Sequence, residues 1–101
     1  MINQRISLPR EEIAEFCQTH RIRKLSVFGS VLRDDFRPDS DIDVLVEFEA
    51  GHVPGLLRMA ALEMELTNIL GHKADLRTPA ELSRYFRQKV VDGAEPIYDR
   101  T

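Results

Sequence analysis

Apolar residues recur along the chain with two spacings, and the switches between them divide it into alternating elements. From Leu8 to about Thr19, the residues Ile13, Phe16 and Cys17 stand at i, i+3 and i+4. Pro9 suits a first helical turn and Glu11 and Glu12 fall near the positive end of its dipole, so this stretch predicts a helix. From Lys24 to Phe28 the period drops to two, with Leu25 and Val27 alternating with Ser26 and Phe28, which predicts a short strand that delivers the chain to Gly29. Ser30 to Asp35 reads as a short helix with Ser30 as its N-cap and Val31 and Leu32 turned inward. After the loop Arg37 to Ser40, Asp41 to Phe48 predicts a second strand. Alternation puts Ile42, Val44, Val46 and Phe48 on one of its faces and Asp41 and Asp43, about 7 Å apart, on the other.

Pro54 to Leu70 predicts the longest helix, bearing Leu56, Leu57, Ala60, Ala61, Met64, Leu66, Ile69 and Leu70, with Gly71 placed to stop it. Lys73 to Arg77 is a third strand in which Asp75 shares a face with Lys73 and Arg77 while Ala74 and Leu76 face the other way. Pro79 opens a last helix ending near Gly93, with Leu82, Tyr85, Phe86 and Val90 spaced for burial, and Glu95 to Tyr98 can add an edge strand. The sum is an α/β (α+β) fold, a small mixed sheet with helices packed on one face and acids on the other. With no internal repeat and no linker, residues 1–101 are expected to form a single domain.

Composition narrows the function classes. A hydrophobic share of 43% with 31% charged residues is that of an ordinary soluble globular chain. A formal charge of −3 opposes coating of nucleic acid, which needs clustered Lys and Arg, so no direct nucleic-acid binding is expected. Cys17, the one cysteine, excludes an intrachain disulfide and a multi-cysteine zinc site and reads as a small buried hydrophobe. The N-terminus lacks a signal-peptide apolar core, and no window approaches the run of about 18 apolar residues that a membrane span requires. The expectation is a cytoplasmic protein with no membrane partner.

The chemistry gathers between Gly29 and Phe48. Two close carboxylates repel each other, and a hard divalent cation is the commonest physical reason to keep both ionised. GxxxxGK[ST] and GxGxxG are both absent, so neither a P-loop nor a dinucleotide fold is indicated. Counting Asp39, Asp41 and Asp43 as positions of a calcium loop puts Val44 where glycine is needed and Ala50 where a bidentate glutamate belongs. His20, His52 and His72 have no metal-ligand spacing and read as polar surface. Glu47 shares the aspartate face but lies roughly 13 Å from Asp43, so it reads as solvated.

Taken together, Gly29-Ser30, Arg33, the Asp41-Ile42-Asp43 run into Val-Leu-Val-Glu-Phe, and Asp75 in the later strand resemble the minimal nucleotidyltransferases of the DNA polymerase beta-like superfamily, over nearly the whole chain. Asp34 and Asp35 depart from the family pattern, in which a glycine tends to follow the arginine. The resemblance implies a Mg²⁺-dependent enzyme with two ions and ATP as substrate. Asp41 and Asp43 would bridge both ions, and Asp75 would bind on the nucleophile side and help deprotonate the attacking hydroxyl. Gly29 and the Ser30 hydroxyl would hold a phosphate; Arg33 would touch phosphate or else pair with Asp35 or Asp39. Such domains resemble the antitoxin of toxin–antitoxin pairs, which transfers AMP from ATP to a tyrosine of a small helical HEPN toxin. The alternatives are an antitoxin that acts by binding alone and a nucleotidyltransferase with a small-molecule acceptor. The short chain opposes the second, and the intact acidic trio opposes the first. Self-association and a hetero-oligomer with the toxin both stay open.

Overall fold

The computed structural model describes residues 8–33, 36–37 and 39–100. Asp34, Asp35 and Pro38 lie outside them, and with them the end of the helix expected over 30–35. Helix α1 (Arg10–Thr19) buries Ile13, Phe16 and Cys17, the stripe its periodicity marks. Strand β1 (Ile22–Phe28) begins two residues before the expected Lys24, because Ile22 is wholly buried and belongs to the core. A 3₁₀ turn over Gly29–Leu32 follows, then β2 (Ile42–Phe48), α2 (Leu56–Leu70), β3 (Ala74–Arg77), a second 3₁₀ turn over Pro79–Glu81, α3 (Arg87–Gly93) and β4 (Glu95–Asp99).

The four strands form one mixed sheet in the order β3-β2-β1-β4. β1 is antiparallel to both β2 and β4, while β2 and β3 run parallel, joined by α2 as the crossover. On one face Leu25, Val27, Ile42, Val44, Val46, Ala74, Leu76 and Ile97 meet Ile13, Phe16 and Cys17 of α1 and Leu62, Leu66 and Leu70 of α2 in a single core. The opposite face carries the acids at its β3 side. Ser26 and Leu45, also on that face by register, are each 2% exposed, and the Pro79–Glu81 turn packs against β2 there.

Two helices depart from the pattern read in the sequence. α2 is apolar nearly all round, and the face it buries is Leu62, Leu66 and Leu70 at i, i+4, i+8, with Met59 and Ile69 beside it. Leu56 and Leu57 stand in solvent at 87% and 88% exposure, and Met64 is exposed too. Gly71, at φ +74 and donating its N–H to Thr67 C=O at 2.9 Å, ends the helix as expected. The expected helix from Pro79 to Gly93 is broken. Thr78 and Glu81 form a capping box around the 3₁₀ turn, Leu82 is extended, and α3 starts only at Arg87. Tyr85 is therefore 86% exposed and Phe86 half exposed. Among the described residues, no helix is long and apolar enough to cross a membrane.

Candidate active site

Asp43 and Asp75 stand directly opposite each other in the β2–β3 register. Ile42 N–H donates to Lys73 C=O at 2.8 Å and closes that pairing one residue earlier. In a parallel pair, residues in register put their side chains on the same face, so acids 32 positions apart in sequence become neighbours. Asp41 precedes β2 by one residue and is exposed, whereas Asp43 and Asp75 are half-buried.

Across the β1–β2 pair, Asp43 faces Phe28, and its carboxylate lies over the next residue, Gly29. Gly29 has φ +76, a conformation that L side chains rarely adopt, and a Cβ there would collide with Asp43 Oδ2. The sequence reading gives this glycine to a phosphate; in the structure the first group to occupy the freed space is Asp43 itself. Ser30 lies within the 3₁₀ turn rather than at its N-cap, which is Phe28 and has no side-chain cap hydrogen bond to give. The turn is entered through the left-handed Gly29, one residue earlier than expected. The Ser30 carbonyl accepts from Arg33 N–H at 2.9 Å, which folds Arg33 back over the turn.

The charges at the site are arranged in opposition. Burial pushes the Asp43 carboxyl above its usual value, and the Asp75 and then the Asp41 carboxylates push it further; the Arg33 and Arg77 guanidiniums pull it back. Arg33 thus belongs to the site electrostatically. Arg77 is the residue that sequence reasoning left without a role. Its Nε lies 3.3 Å from Asp75 Oδ1, and its position two residues after Asp75, on the same strand face, is the signal that could have marked it. Glu47, partly exposed, is paired across the sheet: Arg23 donates to its Oε1 at 2.7 Å. His20 and His72 are also more than surface. His20 Nε2 lies 2.9 Å from Glu65, and Arg58 donates to its Nδ1 at 3.2 Å. The His72 ring lies tilted against Phe36, with centroids 5.5 Å apart, and its Nδ1 is shut off from solvent.

The donor set of Asp41, Asp43 and Asp75 is all hard oxygen, and the negative field at Asp43 is one that a divalent cation would relieve, so the residues fit Mg²⁺ in chemistry and charge. Among the described residues, no three acids or other donors close into a ready ligand shell. The Asp75 carboxylate is paired with Arg77 at 3.3 Å, so a cation would share it with that guanidinium. Beside Asp75 opens a groove of about 510 Å³, with Leu56, Leu57 and Met59 of α2 along one wall and Arg77 and Glu81 along the other. An arrangement of acids on paired strand ends, flanked by two arginines and open to solvent, can hold a polyphosphate and present a hydroxyl to it.

Comparison with known proteins points the same way. The profile of the nucleotidyltransferase domain family matches residues 10–96. The protein adenylyltransferase MntA of Thermococcus cleftensis is 38% identical over 92 residues, covering 83% of this chain and 91% of that protein. A solved structure of a candidate minimal nucleotidyltransferase superposes with a TM-score of 0.70 at 38% identity, covering 86% of this chain and 87% of that one. A chain from the complex of a tri-AMPylated Shewanella oneidensis HEPN toxin with an MNT antitoxin superposes at 0.59 with 20% identity, covering 89% of this chain and 69% of that one, a likeness of fold alone.

Proposed function

This chain belongs to the nucleotidyltransferase domain family, and we propose that it transfers AMP from ATP to a tyrosine hydroxyl of a small helical HEPN-type toxin, silencing that partner as its antitoxin. The observation that carries the reading is the pairing of Asp43 with Asp75 across parallel strands, with Asp41 adding to the same negative field. The relatedness to a protein adenylyltransferase supports the acceptor class.

In the reaction, the tyrosine oxygen forms a bond to the α-phosphorus, the bond from that phosphorus to the bridging oxygen breaks, and pyrophosphate leaves with its electron pair. Asp75, which lines the groove, takes up the hydroxyl proton or orients the hydroxyl for its loss. Arg33 and Arg77 flank the acids and draw the triphosphate's negative charge toward the site. Gly29 keeps the backbone clear of Asp43, and the Ser30 hydroxyl, free of a capping role, holds a phosphate oxygen. Asp41, Asp43 and Asp75 are the residues that would hold Mg²⁺, which would supply charge neutralisation for the phosphoryl transfer.

Incubation with ATP, Mg²⁺ and the HEPN-type partner is expected to add mass to the partner in steps of one AMP. Asp41→Ala or Asp43→Ala should abolish the added mass, and Asp75→Ala should lower kcat with little change in the KM for ATP. An Asp41→Ala, Asp43→Ala double variant that still protects cells from the partner as well as wild type would overturn catalysis in favour of binding alone.

A further inference from the structure

Among the described residues, β3 is an edge strand that pairs with β2 alone. Outward amides on such an edge are left to water or must find acceptors in whatever covers them. Here the two that flank Asp75 are bonded by α2: Leu76 N–H donates to Glu63 Oε2 at 2.8 Å and Ala74 N–H to Thr67 Oγ1 at 2.9 Å. The Thr67 hydroxyl donates in turn to Glu63 C=O at 2.8 Å, so both acceptors are tied into successive turns of one helix. That helix is fixed by its buried Leu62, Leu66 and Leu70. The match is geometric. Four residues of helix rise about 6 Å and two residues of strand about 6.6 Å, so with the two elements running in opposite directions the side chain at i meets the amide at j+2 and the one at i+4 meets the amide at j.

We propose that Glu63 and Thr67 are positioning residues for AMP transfer: by gripping the amides on either side of Asp75, they fix where its carboxylate stands beside Asp43. The inference rests on the function proposed above. A strand of four residues bonded on one side is prone to fray, and fraying would move Asp75. The Glu63 bond is charge-assisted and half-buried, hence the stronger of the pair.

The test compares Glu63→Ala, Glu63→Gln and Thr67→Val by amide hydrogen exchange at residues 74–76 and by steady-state AMP transfer from Mg·ATP to the HEPN-type partner. Glu63→Ala is expected to speed exchange at Leu76 and to lower kcat about tenfold or more, with the KM for ATP within about twofold of wild type, since displacing a reacting group is felt in the chemical step. Glu63→Gln keeps an acceptor oxygen and should restore both. Thr67→Val, nearly isosteric, should free the Ala74 amide and slow transfer in the same sense, and it carries the test if Glu63→Ala does not fold. If the amides loosen while kcat stays at the wild-type value, the clamp is structural only and the proposal falls. If Glu63→Gln is as slow as Glu63→Ala, charge rather than grip is at work, and the proposal falls too. A wild-type protein that transfers no AMP overturns the proposed function and this inference with it, a result distinct from variants that match an active wild type.

Discussion

Asp43 is held in a position that costs stability. Its pKa lies above the ordinary 3.8, so the folded protein keeps this proton to higher pH than the unfolded chain does. The corresponding stability is present below the ordinary aspartate range and is lost as pH rises through the raised value. Thermal melts without metal should therefore show Asp43→Asn more stable than wild type at neutral pH, with the two converging once the pH falls below about 3.8. An Asn variant less stable than wild type at neutral pH would make Asp43 a structural anchor instead. Gly29 is constrained twice, by its positive φ and by the carboxylate above it. Gly29→Ala is expected to cost about 1–3 kcal/mol in denaturant unfolding and to shift Asp43. The sequence held Asp43 and Gly29 in plain view as a motif, but not their contact: nothing in a one-dimensional spacing says that one packs on the other.

At the level of elements, legibility followed dryness. β1, β2 and β3 turn a row of apolar residues to the core, while the other face buries only Ser26 and Leu45 at the centre of β1 and β2, so a period of two still names the core face, and Leu25, Val27, Val44, Val46, Ala74 and Leu76 all lie where alternation puts them. α2 has apolar residues around most of its circumference, so periodicity could not choose among its stripes. Packing against β3 chose Leu62, Leu66 and Leu70 and left Leu56, Leu57 and Met64 outside. Leu66→Ala should cost about 2–5 kcal/mol of unfolding free energy. Leu57→Ala should stay within about 0.5 kcal/mol of wild type. Equal effects in chemical denaturation would refute the observed orientation of the helix. From Pro79 to Gly93 the apolar spacing was helical, yet the Thr78–Glu81 capping box closes after one short turn, and local hydrogen bonding overrode the pattern.

Over the whole molecule, the last strand returns to pair with the first, and α1 packs on both β1 and β4, so early and late parts of the chain complete one core. Cys17 lies inside that core with no exposure, and burial pushes its thiol up to about 12. Alkylation of Cys17 at neutral pH should then await global opening, and its midpoint in denaturant should coincide with loss of far-UV circular dichroism. Modification well before that midpoint would reveal a separate, weaker unit around α1. The α/β class was readable from element order alone, whereas the strand order and the Asp43–Asp75 register were not, since parallel pairing across α2 is decided by packing. That register has an evolutionary consequence. The separation of the two acids is set by a hydrogen-bonded ladder and is indifferent to the length of chain joining the strands. The bend around Gly51, His52 and Val53 is exposed, so a lineage could lengthen it and acquire new acceptors while the phosphoryl chemistry stays untouched. A ten-residue Gly-Ser insertion after Gly51 should cost only about 1 kcal/mol of closure entropy. Stabilisation of the fold by Mg·ATP should survive it in full.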